Sequence, residues 1–498
     1  MKKKLFKSIA LLAAMASVIG LYGCGQKDNA VVMEDPNTVP ETPYEINWYI
    51  CGKQQSDVAS VENEINAYLK DKINATVKLN ILESAQYGDK LSNMIQSGEY
   101  FDMCFVANWK LDYAVNAENG AFYPLDDLFE AYMPKTYEAS DKEALACAKV
   151  GGKVYALPVI KENADAAGWI YRKDIADKYH IDMSQVQSYE DLLPIARTIK
   201  ENEPDIKYPV EWKENMSLSG NKAAVTVIQG KNLGFVPGDD TYTVINRLEN
   251  PDIMKQFKLA HQYYEEGLVR PDILTSAGAD YVQNLKNGKI FCALAPLKPG
   301  KINELLKNAP YEFAQEYITE VKKPLQSGVA SMNAISATSK NPVRVARFME
   351  LLNTDPVLNN MVIFGLEGRN YTKVEDNVIK LIPNSGYNLS DAKWMIANVF
   401  IGYATDEEDP QINAELKKFN DEAKPNPLSG FVFVTESVQQ EIAACQAVEI
   451  QYEGQASLGA LDPETVVPEY LKELKAAGID KVKEELQRQI NEFLKNKE

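Results

Sequence analysis

The residues of this chain whose types could do chemistry suit binding better than catalysis. There are two histidines, His180 and His261, in 498 residues. His261 falls on one helical face with Ile253, Phe257 and Tyr264, the setting of a core histidine, while His180 ends the polar segment Lys178-Tyr179-His180. No GxSxG, HExxH, P-loop, GxGxxG or CxxC is present, so the common serine, zinc, phosphate and dinucleotide chemistries have no motif to rest on. No catalytic residue, metal site or cofactor is assigned. Asp and Glu number 71, which leaves so many pairs of the kind glycoside hydrolysis needs that no single pair is informative.

The five tryptophans are more telling. An indole face suits the apolar face of a pyranose, and flanking amides and carboxylates can satisfy its hydroxyls. Trp109, Trp169, Trp212 and Trp394 are candidates, with Asn108 beside the first and Gln54 as a neighbouring amide. Trp48 lies inside an apolar strand and is expected in the core. Glu367 and Arg369 sit between Gly365, Gly368 and Asn370, where backbone can approach closely, so they could bond a ligand, latch two lobes, or form a solvated turn.

Alternating elements must position these residues. Glu45–Cys51 reads as a strand, Asp57–Lys72 as a helix with Val58, Val61, Ile65 and Leu69 on one face, and Ile73–Ile81 as a strand with one polar side. A second helix through Tyr87, Leu91 and Ile95 ends at Gly98, and Phe101–Val106 is a buried strand. Strand, helix, strand, helix, strand predicts a parallel α/β sheet. In open α/β sheets ligands lie beyond the carboxyl ends of the strands, which selects residues 52–55, Asn108 and Trp109, and Trp169 in the stretch that follows.

The stretch 151–174 follows. A turn at Gly151-Gly152, a strand at 154–159, a polar gap at 161–165 and a strand at 166–171 carrying Trp169 predict a passage from one lobe to another. Beyond it the pattern is more helical. Ser188 to Asp191 fits a capping box, Asn250-Pro251 opens a helix, and Asn341-Pro342 opens another. Phe291–Ala295 is a short strand that could be a second crossing, and the last part, from Pro463, is two helices broken at Gly478.

Net charge is −18, and more negative once the leader's Lys2, Lys3, Lys4 and Lys7 are lost. A polyanion is poorly suited to phosphate backbones, so nucleic acid is not an expected partner. Basic Lys2–Lys4 and the apolar run 9–22 have the form of a signal peptide, too short to span a bilayer. The run ends at Leu21-Tyr22-Gly23-Cys24, which resembles a bacterial lipobox, although Tyr22 departs from the usual small residue there. The resemblance implies lipidation of Cys24 and membrane anchoring through two acyl chains. Residues 24–43 read as a tether of roughly 25 Å reach. Cys51, Cys104, Cys147, Cys292 and Cys445 are odd in number and show no paired spacing, so buried free thiols are expected.

Several long runs, GKQQSDVASVENEINAYLKDKINATVKLNIL, SGEYFDMCFVANW, GGKVYALPV, NAISATSKNP, FGLEGRNY and GFVFVTESVQQEIAACQ, resemble family 1 extracellular solute-binding lipoproteins of bacterial ABC importers. The final DPETVVPEYLKELKAAGIDKVKEELQRQI is similar to a subgroup with a C-terminal domain of unassigned function. The resemblance implies a two-lobed, periplasmic-binding-protein-like (type II) α/β fold with discontinuous lobes joined by crossing strands. It divides the chain into a signal peptide (1–23), a tether (24–43), a first lobe (44–160 plus 296–362) and a second lobe (161–295 plus 363–498, including the C-terminal module). It also implies a monomeric, non-enzymatic protein on the extracellular face of the membrane, which captures a sugar or oligosaccharide and hands it to ABC permease subunits. A secreted glycoside hydrolase or lyase, and a surface lipoprotein that binds peptide or a sensor partner, are the alternatives.

Overall fold

Alternation along Tyr44–Cys51 and Ala75–Leu82 produces two strands that pair in parallel from Tyr44–Ala75 to Cys51–Leu82. In the computed structural model, which describes residues 34–212, 225–276 and 280–496, helices Val58–Ile73 and Ser84–Ser97 make the crossovers. The second of them stops at Gly98, whose φ of 68° closes the helix in the left-handed region. Met103–Val106 pairs in parallel on the other side of the first strand. Met332–Ile335 and Ala156–Pro158 then complete a five-stranded mixed sheet as antiparallel neighbours.

The second lobe is built on a four-stranded sheet ordered Phe313–Tyr317, Ala167–Arg172, Cys292–Pro296, Val210–Glu211. Its helix Tyr189–Asn202 starts as expected, with Ser188 Oγ accepting the Asp191 N–H at 3.1 Å. Helix Pro251–Glu265 is capped by Asn250. A further body combines two distant parts of the chain. The small sheet of Thr226–Gln229, Leu233–Phe235 and Ile245–Asn246 shares a core with the helices Gln439–Ser457, Pro463–Ala476 and Ile479–Lys495. All five cysteines among the described residues are buried and free. No helix among them is long and apolar enough to cross a membrane.

Three boundaries differ from the sequence reading. Cys292–Pro296 is not a crossing. After it Leu297 and Leu306 bury against Ile170, Ala293 and Ala295, each worth about 1.5–3 kcal/mol, and this keeps the chain in the second lobe until Tyr317. Conversely, Tyr371, Ile379, Tyr387, Leu389, Ile396 and Ala397 pack into the core of the first lobe, not the second. The tether is also shorter than read. Glu34, almost wholly buried, accepts hydrogen bonds from Arg344 (2.7 Å) and Asn341 (2.9 Å), and its main chain bonds Tyr132. Two buried arginines, Arg344 and Arg347, need an anion, and the chain is therefore fixed ten residues before Tyr44.

The chain passes between the lobes three times. The first passage, 159–166, is the polar gap read from sequence. The second, 318–331, is bridged to it by reciprocal Asp165–Lys322 backbone bonds of 2.7 and 3.0 Å. The third follows Ala397 and runs beside both: the Val399 N–H donates to Ile160 O (2.9 Å), the Lys323 N–H to Lys424 O (2.8 Å), and the Asn420 carboxamide caps the Asn163 and Ala164 N–H groups.

Candidate functional site

A cavity of about 480 Å³ opens where these passages meet. One wall is the second-lobe turn Lys298-Pro299-Gly300 and the helix Lys301–Leu306, the opposite wall is the segment 390–394 with the loop 405–409, and Lys161 and Glu162 of the first passage form the floor. The site is thus assembled from the two lobes and the hinge.

Its charges come in pairs. Lys298 reaches Glu162 at 2.9 Å and Glu304 at 3.0 Å, and Lys161 stands 3.8 Å from Glu162. Burial acts against the charge on Glu162, but Lys161 and Lys298 more than offset it and hold its carboxyl below the usual glutamate range. Burial draws Lys161 below the usual lysine range. For Lys298 the two carboxylates overcome burial and raise it. On the facing wall Lys393 reaches Glu408 at 3.0 Å, and Glu408 also accepts the Thr405 N–H at 2.9 Å. Burial opposes that charge too, yet Lys393 and Thr405 leave Glu408 lowered. Across the mouth Lys307 of the second lobe pairs with Glu407. Paired ammonium and carboxylate groups present donors and acceptors side by side, as a polyol with hydroxyls that both give and take hydrogen bonds requires.

The aromatic part of the site comes from the first lobe. Trp394 lines the cavity, and Trp109 stacks on it with centroids 6.2 Å apart and planes 30° apart. Both rings pack on Phe105, at 5.9 and 6.2 Å. Trp109 follows the strand Met103–Val106 directly and donates from Nε1 to Ala330 O at 2.8 Å, which ties it to the second passage. Ser331 Oγ donates to Trp394 O at 2.5 Å, and Asn333 Nδ2 donates to the Met395 and Ile396 carbonyls at 3.1 and 3.0 Å. Polar residues at one end of a first-lobe strand therefore hold the loop that carries Trp394. Trp109 keeps 52 % of its surface exposed, and the Lys110 ammonium lies over its ring, 5.6 Å from the centroid.

The other residues selected from sequence divide clearly. Asn108 is exposed beside Trp109, its N–H bonded to Val329 O. Gln54 is exposed and lines an adjoining cavity of about 570 Å³ that shares Lys307, Leu381, Thr405 and Glu407 with the first. Trp169 and Trp212 do not belong to the site. They are 0 % and 1 % exposed, edge-on to Tyr189 at 5.0 and 5.2 Å in the second-lobe core. A strand of a sheet covered on both faces has no surface for a ligand. Glu367 and Arg369 line neither cavity. Arg369 forms a two-pronged bond to Asp57 at 2.5 and 2.7 Å, and Glu367 lies 3.5 Å from Lys373. Glu367 and Lys373 are a local ion pair, while Arg369 ties the loop to the start of the first-lobe helix Val58–Ile73, so neither pair bridges the two lobes. Trp48 is buried against Phe348 as expected.

Lys161, Glu162, Lys298, Glu304, Lys393 and Glu408 were not singled out from sequence. For the first two the signal existed, since they lie in the polar gap between two strands. The others are ordinary surface-type residues until the fold brings them together. Among the described residues no group of three His, Cys, Asp or Glu side chains is gathered to hold a metal.

Residues 64–370 match the family described as bacterial extracellular solute-binding protein, and residues 427–495 match a domain of unknown function, DUF3502. A carbohydrate ABC transporter substrate-binding protein of Streptococcus pneumoniae serotype 4 is 31% identical over 502 residues, covering 100% of this chain and 99% of that protein. The crystal structure of the N-glycan transport solute binding protein NgtS from Streptococcus pneumoniae superposes with a TM-score of 0.81 at 30% identity, over 92% of this chain and 100% of that one. The structure of NgtS in complex with Man5GlcNAc covers the same shares at the same identity with a TM-score of 0.65.

Proposed function

This chain belongs to the bacterial extracellular solute-binding proteins, and we propose that it captures an oligosaccharide of the mannose and N-acetylglucosamine class between its lobes and delivers it to an ABC importer. The observation that carries the reading is the stacked pair Trp109–Trp394, in which Trp394 lines a cavity walled by charge pairs and Trp109 is half exposed beside it. The full-length similarity to a carbohydrate transporter's binding protein and to NgtS supports the choice of sugar class. These relatives are binding proteins and not enzymes, which sets the hydrolase alternative aside.

Binding acts through lobe closure. One relative fits this chain with TM-scores of 0.81 and 0.65 in two structures of the same protein. This chain therefore fits the first of these structures more closely than the Man5GlcNAc complex. A ligand that touches Trp109 on the first lobe and Lys298 or Glu304 on the second favours the closed arrangement by its differential affinity for it. Calorimetry with Man5GlcNAc tests the reading: saturable binding at one site supports it, while absence of binding to Man5GlcNAc with binding to peptides refutes it. Anchoring through lipidated Cys24 completes the proposal. Cys24→Ser is expected to release the protein from cells into the medium, and retention on the membrane would refute the anchor.

A further inference from the structure

The helix Gln439–Ser457 mixes its faces: Ile442, Val448, Tyr452 and Ala456 pack on the core, and carboxylates are buried among them. It turns Cys445, Glu449 and Glu453, one per turn, into the core, and leaves Ala443, Ala444, Ala447 and Ile450 on the surface, Ile450 with 80 % of its area exposed. The two buried carboxylates are treated differently. Glu453 forms an ion pair with Arg247, both nearly inaccessible, and accepts the Tyr470 hydroxyl at 3.2 Å. Glu449, 7 % exposed, pairs with no cation among the described residues. The donors that reach it there, the Lys231 N–H at 2.7 Å and the Asn232 amide at 2.9 Å, both engage Oε1. Gly230, with φ of 57°, brings main chain so close that a Cβ there would stand 2.8 Å from Oε1 and 3.1 Å from Oε2. A buried carboxylate without a countercharge is costly.

Glu449 lies in the wall of a cavity of about 330 Å³, whose other walls include the aliphatic Leu233, Ile442, Ile450, Ile479 and Val482 and also Lys231, which forms no ion pair with Glu449. We propose that this cavity is a second ligand site, which takes an aliphatic cation, an alkylammonium or the side chain of a lysine. The hydrocarbon stem packs along the aliphatic walls and the ammonium supplies the countercharge Glu449 lacks. A neutral apolar guest leaves the carboxylate unanswered, and an anion is repelled by it. Burial, with Glu453 adding to it, outweighs the Lys231 and Asn232 donors and the charge of Arg247 and pushes Glu449 above the usual glutamate range. The cavity shares no lining residue with the cleft, and the inference stands apart from the oligosaccharide reading. It gives the domain of unknown function a binding task.

The test uses the full chain and three probes of equal length, n-butylammonium, n-butanol and butyrate, followed by calorimetry and thermal melting. Saturable binding of n-butylammonium alone is expected. Glu449→Gln, which keeps an acceptor for Lys231 and Asn232, should weaken it by about tenfold or more while Man5GlcNAc binding is unchanged. If Glu449→Gln fails to fold, Ile450→Ser at the exposed rim should still weaken n-butylammonium. Tighter binding of a capped lysine peptide than of its norleucine analogue and of n-butylammonium assigns the site to a protein partner, and the reverse order to a free amine. No saturable binding, equal binding of the three probes, or undiminished affinity in the folded Glu449→Gln protein overturns the proposal.

Discussion

Trp109→Ala separates a ligand platform from a structural tryptophan. In the free protein Trp109 is half exposed and holds the Trp394 stack, the Phe105 ring, the Lys110 ammonium over its face and the hydrogen bond to Ala330 O. An aromatic pair contributes about 0.5–1.5 kcal/mol and an intramolecular hydrogen bond about 1 kcal/mol. These sum to about 2–4 kcal/mol, and with the ring half exposed truncation should cost about 2 kcal/mol, the low end, a shift of a few degrees in Tm. Trp169 is fully buried against Tyr189, with Nε1 bonded to Val186 O, and Trp169→Ala should cost about 3–5 kcal/mol. Affinity should run the other way. A central indole in a binding surface contributes about 2 kcal/mol or more, so Trp109→Ala should weaken Man5GlcNAc by about thirtyfold. The folded fraction of Trp169→Ala should keep near-parental affinity. Calorimetry and differential scanning of the two variants decide the matter. Affinity in Trp109→Ala within about threefold of the parent, or a melting loss as large as that of Trp169→Ala, refutes the assignment.

The remaining predictions concern the charge pairs. Glu34→Ala strands two buried arginines and should cost about 3–5 kcal/mol in urea unfolding; a loss under about 1 kcal/mol would show that the N-terminal clip is incidental. Burial alone would raise Glu34, but Arg344 and Asn341 outweigh it, and its folded pKa is lowered. Its stabilising effect is therefore fully present above the ordinary glutamate range and is lost as pH falls through the lowered folded value. The melting temperatures of parent and Glu34→Ala should accordingly converge in acid and diverge toward neutrality. In the cleft, Lys298→Met leaves Glu162 and Glu304 without their shared cation and should weaken oligosaccharide by about tenfold with little change in the free first lobe. Unchanged Kd by calorimetry would remove the charge pairs from the binding site.

Much of the fold was legible because its local signals and its tertiary packing agree. The first sheet followed from alternation, the helix ends from Gly98, Ser188 and Asn250, and the first passage from a polar gap between apolar runs. Boundaries failed where an element's destination depends on distant partners. Cys292–Pro296 looks the same in sequence whether it crosses or stays, and what keeps it is Leu297 and Leu306 packing on Ile170. Glu34 likewise sits in a polar run, and only Arg344, far along the chain, makes it structural.

The site shows the same division more sharply. The strand-end rule picked out Trp109 because that rule is geometric, and the structure puts this residue at the carboxyl end of a parallel strand at the sheet's centre, stacked on the cavity-lining Trp394. Carried over to Trp169 it failed, since that residue lies inside a strand paired on both sides and not beyond its end. Trp394 was selected by type alone, and its place depends on Ser331 and Asn333 gripping the carbonyls of residues 394–396. Of the charge pairs only Lys161 and Glu162 carried a signal, the polar gap; Lys298 and Glu304 acquire a common task with Glu162 only where the fold brings them together. A site assembled at a hinge is built from segments distant in sequence, and for the same reason it can respond to the angle between the lobes. The residues hardest to read from the chain, the lysine–carboxylate pairs that join wall to floor, are the ones whose geometry closure would change most.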